Sequence, residues 1–285
     1  MSAFANALTV DVEDYFQVQA LAGVVPRSTW DDWPRRVEAN TGRLLDLFAA
    51  AGVRATFFTL GWVAERHGPL IRRIVAEGHE LASHGYGHEL IDRLGEAGFR
   101  ADVRRARAVL EDAGGVPVVG YRAPTFSLGT RTPWAHPVLA ESGHRYSSSI
   151  YPIRHDLYGS PDAPRTPYAA VGGALWELPM TTLRLRGRNL PLSGGGWFRM
   201  VPYGVFSAGL RRHAAAERRP AIFYLHPWEI DPRQPRVAGL GLKSRVRHYT
   251  GLAATERRLR QLLADFRWDR MDRVFAGLLQ APAGH

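Results

Sequence analysis

His84 and His88, four residues apart in SHGYGH, are the side chains whose type and spacing point most directly to chemistry. Neutral imidazoles are the commonest ligands of zinc-like cations, and an interval of four lets both ring nitrogens reach one ion. Hydrolytic metal sites take a third ligand, often a carboxylate, and keep one position open for water. The opening run LTVDVED offers Asp11, Glu13 and Asp14 for that role. Strand side chains alternate between faces, so Asp11 and Glu13 share one, whereas Asp14 reaches it only if the chain turns. The chain has no cysteine, which excludes disulfides and thiolate sites and leaves any metal to His, Asp and Glu. A divalent cation on two imidazoles and a carboxylate would lower the pKa of a water from ~15.7 toward ~7 and so supply a nucleophile at neutral pH.

These residues need a scaffold that carries them to one place. Apolar runs of strand type cover 8–12, 54–60, 79–82, 116–121, 145–150, 174–183 and 221–225. Helical stripes cover 36–51, 62–76, 99–113, 133–142, 203–218 and 255–266, several of them ended by glycine, as at Gly52, Gly78 and Gly114. A proline-rich loop is predicted over 152–167, and a loose tail over 281–285. Strand and helix alternating in units of about 20–35 residues predict a parallel sheet, closed as a barrel or open. Asp11, His84, Arg122 and His226 each fall at the C-terminal end of a different predicted strand. Such ends converge on one face of a barrel.

The 285 residues suffice for one large domain, and a hydrophobic fraction of 45% with 22% charged residues is that of an ordinary globular chain. The formal charge of +10 rests almost wholly on arginine, Lys243 being the only lysine. The arginines are spread along helices, which makes a solvated face the better reading; no nucleic-acid motif accompanies them. No run approaches the ~18 apolar residues of a membrane span and no leader pattern opens the chain, so a cytoplasmic location is expected, with peripheral contact to an anionic membrane left open. No oligomeric state follows from the sequence.

In order, TVDVED, HGYGH, YRAPTF and YLHP resemble the motifs of the polysaccharide deacetylases, the NodB-like carbohydrate esterase family four, over about residues 8–226. The blocks ELPMTTLRLRGRNLPLSGGGWFRMVPY, FYLHPWEIDPRQPR and RHYTGLAATERRLRQLLADFR further resemble the exosortase-associated subfamily found with exopolysaccharide biosynthesis. The resemblance implies an α/β fold, a distorted (β/α) barrel of the NodB-homology type, in a single domain over 1–285. Within it the barrel core spans about 8–230 and a C-terminal helical extension about 231–285. It also implies hydrolysis of N-acetyl groups on N-acetylhexosamine units of a carbohydrate. The bound divalent metal would be zinc first, with cobalt, nickel or manganese as alternatives.

Residue by residue, the resemblance makes Asp11 the general base, Arg122 its partner, His226 the general acid, and His84 and His88 metal ligands. The second family aspartate is displaced here by Asp-Val-Glu-Asp; Glu13 is the expected ligand and Asp14 the alternative. Ser147 stands where the family often has an aspartate that holds the acid histidine, and Glu177 in WELP is either its substitute or a structural anchor at the end of its strand. SGGGWFR lacks the phosphate-loop pattern and reads as a glycine-rich lid. Pro124, Trp197, Trp228 and Glu177 are expected to contact substrate. A hydrolase of small cyclic amides on the same barrel, or a non-catalytic carbohydrate-binding chain, are the competing readings.

Overall fold

The computed structural model describes residues 4–280. Its centre is β1 (Asn6–Val12), buried along its whole length, as a near-continuous apolar run requires when both faces of a parallel sheet are covered. β1 pairs in parallel with β2 (Thr56–Thr59), which pairs with β3 (Glu80–Ser83), then β4 (Gly120–Tyr121), β5 (Tyr146–Ser147) and β7 (Trp176–Glu177). β6 (Tyr168–Ala169) adds to β7 in antiparallel, and β8 (Thr182–Leu185) with β9 (Arg188–Pro191) forms a separate hairpin. On the other side of β1 lies β10 (Ile222–Leu225), while β11 (Trp268–Asp269) pairs with the start of β1 on the β2 side; both are parallel to it. No pairing among the described residues joins the two ends of this order, so the predicted barrel is a curled half-barrel. Among the described residues no helix is long and apolar enough to cross a membrane.

Register is what positions the site. Val12 faces Thr59, Thr59 faces Ser83, Ser83 faces Tyr121 and Tyr121 faces Ser147 across successive strands. Val10 faces Leu225 on the other side. His84, Arg122, Ser148 and His226 are each the next residue after one of these, so one rim of the sheet receives them all. The helices that cover the sheet bury the expected stripes, as with Val37, Leu44, Leu47 and Phe48 in the helix Val37–Ala51.

Several elements differ from the sequence reading for local reasons. The 116–121 strand shrinks to β4, since Pro117 has no amide hydrogen to give a ladder. The 174–183 strand is two: β7 in the main sheet and β8 in the hairpin, separated at Pro179. The 62–76 helix breaks at His67, where Gly68 and Pro69 start the second piece. The helix expected at 99–113 begins earlier and spans Ile91–Gly114, interrupted at Gly95 with φ 66°. The extension after 230 is not wholly helical, because β11 returns to pair with β1 beside the helix Leu252–Asp265. The predicted loose tail at 281–285 lies outside the described residues.

Candidate active site

Just past β1 the backbone turns, with the Glu13 amide donating to the Asp11 carbonyl at 3.1 Å. That turn separates the three carboxylates. Asp14 points back to the helix Val37–Ala51: its Oδ2 accepts the amides of Arg36 (2.7 Å) and Val37 (3.0 Å), and its Oδ1 that of Tyr15 (2.9 Å). Burial nevertheless pushes its carboxyl up to about 6, against those three hydrogen bonds. Asp14 is therefore spent on capping and is not in the metal-ligand cluster. Glu13 is in it: ligand atoms of Glu13, His84 and His88 all lie within 4.8 Å of one another, and all three residues are buried.

The donor set suits a divalent cation on its own chemistry. His84 Nδ1 sits 2.9 Å from the Arg122 carbonyl, which fixes that nitrogen as the protonated one and turns the Nε2 lone pair inward. Burial holds the His84 imidazole down at about 4, so it is neutral near pH 7, as a ligand must be. His88 Nε2 is 2.8 Å from Glu13 Oε2, yet that oxygen makes no aligned hydrogen bond. Two lone-pair donors so placed, and unsatisfied by each other, fit a common third partner. Burial would raise Glu13, but the neighbouring imidazoles, His88 foremost, hold its carboxyl down at about 2. The loop between the histidines has little choice of residue: Gly85 takes φ 74°, and a Cβ there would lie 2.9 Å from the Asp102 carboxylate. His88 itself adopts φ 56°, a costly left-handed backbone for a non-glycine residue.

Asp11 lies beside this cluster, buried, and its Oδ1 accepts Arg122 Nη1 at 2.6 Å. The same Nη1 reaches Thr9 Oγ1 at 2.8 Å, while Arg122 Nε donates to the Ser148 carbonyl at 3.1 Å and the guanidinium carbon stands 4.1 Å from the Phe58 ring centroid. A buried charge held on so many sides is a fixed one. The Oδ2 oxygen of Asp11 takes no hydrogen bond from the described residues, and Asp11 lines the cavity.

His226, one residue beyond β10, lies across the cluster with Nε2 3.4 Å from Glu13 Oε1. Its Nδ1 is 3.3 Å from Oε2 of Glu229, a carboxylate that also accepts the His226 amide at 2.9 Å. Burial would lower this imidazole; the hydrogen bond to Glu229 and the charges of Glu13, Glu229 and Asp11 outweigh it and raise it to about 9. Glu229 was not singled out in the sequence, although HPWE places it three residues after the histidine, one turn of the 3-10 helix Pro227–Ile230. Its other oxygen takes Arg199 Nε at 3.0 Å. Arg199 in turn donates to the carbonyls of Arg247, His248 and Thr250, tying the extension to the site.

The expectation that Glu177 holds His226 is overturned. It is fully buried away from this cavity, accepting the amides of Ser149 (2.8 Å) and Ile150 (2.9 Å) and meeting His136 Nε2 at 3.0 Å. It anchors the turn after β5 and does not hold His226. SGGGWFR is no lid either: Gly195–Met200 is a short helix, and a Cβ on Gly195 would fall 1.7 Å from Glu229 Oε2. Glycine is required there for the carboxylate to reach His226. Trp197 does line the cavity, as does Trp228, which is stacked between His226 (5.1 Å) and His248 (4.3 Å). Pro124 is buried behind the wall, and its neighbours Ala123, Thr125 and Phe126 face the cavity instead. The cavity holds about 250 Å³, with Phe126, Tyr158 and Tyr224 adding aromatic surface.

Comparison with known proteins gives two matched regions, and Asp11 and Glu13 lie before the first of them. Residues 26–146 match the family model described as polysaccharide deacetylase, and residues 148–276 one described as a domain of unknown function, DUF3473. The first holds His84, His88 and Arg122; the second holds His226 and Glu229. A chitooligosaccharide deacetylase of Sinorhizobium fredii is 38% identical over 123 residues, 43% of this chain and 54% of the relative. A peptidoglycan-N-acetylglucosamine deacetylase of Bacillus cereus is 31% identical over 96 residues, 34% of each. The chain thus spans about half, or less, of the length of these curated relatives. Among solved structures, one from Mycobacterium smegmatis described as a candidate polysaccharide deacetylase shares the fold over 97% of this chain and 90% of that one, with TM-score 0.63 and 24% identity. A CE4 family pseudoenzyme from Bacillus anthracis also shares it, over 96% and 66%, with TM-score 0.52 and 13% identity. Fold alone therefore does not carry activity, and the donor set must be read directly. Residues 26–146 thus match the polysaccharide deacetylase family, and the half-barrel that carries them has the fold of these solved structures.

Proposed function

We propose that this chain is a metal-dependent N-deacetylase, acting on N-acetylhexosamine units of an exopolysaccharide or its precursor. The barrel core and the extension work as one unit. The observation that carries the reading is the meeting of Glu13, His84 and His88 with Asp11 and His226 in one buried-walled cavity. The deacetylase names of the curated relatives support the same reaction class. Zinc is the first choice for this oxygen and nitrogen donor set.

When bound, a divalent cation on these three ligands supplies Lewis acidity, acidifying water and polarising the amide carbonyl. Asp11 does the work of base: Arg122 holds one carboxylate oxygen, and the other is presented to the cavity to take the proton of the attacking water. His226 does the work of acid. Glu229 anchors its Nδ1 and holds the ring protonated near neutral pH, so Nε2 can deliver a proton to the departing amine. The amide C–N bond breaks, with acetate and a free amino sugar as products. Trp197, Phe126 and Tyr158 give apolar surface on which a pyranose face can pack.

Acetate release from N-acetylglucosamine oligomers, measured with metal analysis of the same protein, tests the reading. Acetate production by the wild type that disappears in Asp11→Ala is expected; equal production by both proteins would overturn it.

A further inference from the structure

Trp197 forms part of the wall of two cavities. One is the candidate active site; the other is an open groove of about 740 Å³ between the loop after β5 and the β8–β9 hairpin. The two cavities therefore adjoin at Trp197.

The groove has an uneven charge. Arg154, Arg184 and Arg188 line it against the single carboxylate of Asp162. The side chains of Arg154 and Arg188 are exposed and make no ion pair or hydrogen bond with the described residues, and Arg184 donates only to Asn189 Oδ1, at 2.8 Å. Elsewhere many arginines are neutralised at close range, as Arg66 is by Asp31 and Arg165 by Glu217. Three guanidiniums gathered on one groove against a single carboxylate leave a net positive field that draws in an anion. A planar fork of donors matches a carboxylate, which it can hold by two parallel hydrogen bonds. Between the arginines the lining is Pro152, Pro161, Leu190 and Pro191, with Trp197 at the junction. Those are surfaces for the C–H face of a sugar ring, set beside groups for an acid.

We propose that this groove binds acidic sugar units, hexuronates or others bearing a carboxylate, in the same polymer that presents its N-acetylhexosamine to the adjoining cavity. The proposal rests on the deacetylase reading for the identity of that polymer. The arginines supply preference for acidic units, and Trp197 links the two sites.

Titration calorimetry at low ionic strength with the Asp11→Asn chain separates the terms. Two hexasaccharides are compared: N-acetylglucosamine throughout, and N-acetylglucosamine alternating with glucuronate. The alternating oligomer is expected to bind about tenfold more tightly, an advantage that added salt weakens. Arg154→Gln with Arg188→Gln removes that advantage and leaves the neutral oligomer unchanged, while the paired Lys substitutions restore part of it and show that the fold is intact. Equal affinity for the two hexasaccharides, or an advantage that survives the Gln substitutions, overturns the proposal. So does a hexanucleotide that binds more tightly than either and is lost in the same variant. Acetate release by the wild-type chain is read separately. A preference for the uronate oligomer without acetate from either supports the groove and sinks the deacetylase reading; acetate from both without a preference sinks the groove alone.

Discussion

Asp11 Oδ1 and Arg122 Nη1 stand 2.6 Å apart in the buried floor of the site, although 111 residues separate them in the chain. The contact joins the end of β1 to the residue after β4, and both partners are almost inaccessible to solvent. Removing one member of such a pair strands the other charge. Arg122→Ala is expected to cost about 3–5 kcal/mol in chemical unfolding. Asp11→Asn keeps the shape and a hydrogen-bonding oxygen, so its stability loss should be smaller while acetate release falls at least ~100-fold. Unfolding midpoints for the two variants, measured beside their activities, decide the matter; an Arg122→Ala chain as stable as wild type would refute the buried-pair account.

The split between Glu13 and Asp14 predicts opposite phenotypes for neighbouring carboxylates. Glu13→Ala should lose the metal found by elemental analysis and, with it, the thermal shift that chelators cause in the wild type. Asp14→Ala should keep metal stoichiometry and lose about 1–2 kcal/mol of stability, because the amides of Arg36 and Val37 lose their acceptor. A metal-free Asp14→Ala protein would reverse the assignment.

Glu229 is expected to act on rate through His226. The general acid must be protonated, so activity falls as pH rises through the pKa of that imidazole. Replacing Glu229 with Gln removes a charge that raises it, and the alkaline limb of the kcat profile should move to lower pH with KM little changed. Gly195→Ala, which drives a methyl into the same carboxylate, should reduce kcat likewise while leaving metal content intact. An unmoved alkaline limb in Glu229→Gln would remove this role.

Acid sensitivity should be traceable to buried histidines. Burial holds His144 down at about 4 from an ordinary 6.5. Above pH 6.5 both folded and unfolded chains carry it neutral and it adds no pH dependence. Below that the unfolded chain takes a proton the native one refuses, so stability falls until about pH 4, where both are protonated. His144→Phe should therefore gain on the wild type by up to about 1.4 kcal/mol per pH unit between pH 6 and 4. Urea midpoints at pH 7 and 5 measure it; parallel losses in both proteins would contradict the linkage.

Much was legible in the sequence because its cause is local. The alternation of apolar runs marks strands and helices through burial periodicity alone. The residues at their ends, Asp11, His84, Arg122 and His226, fall on one rim because parallel strands in register bring their C-terminal ends together. The absence of cysteine likewise restricted any metal to nitrogen and oxygen ligands without reference to a fold.

What the linear order left open depends on distances that only packing sets. Asp14 is one residue from Glu13, yet the turn after β1 sends it to a helix start 22 residues on, and Glu13 to the histidines. Glu177 and Glu229 are both acids beside strand ends; the first meets the amides of Ser149 and Ile150, and only the second reaches His226, through one short helical turn and a glycine that makes room for it. The glycine run reads as a lid by composition, but burial against Glu229 makes it a wall. Side-chain type and spacing name the groups able to do the chemistry; which of them share a partner is decided by the tertiary structure, since electrostatic and hydrogen-bond energies depend on separation in space and not along the chain.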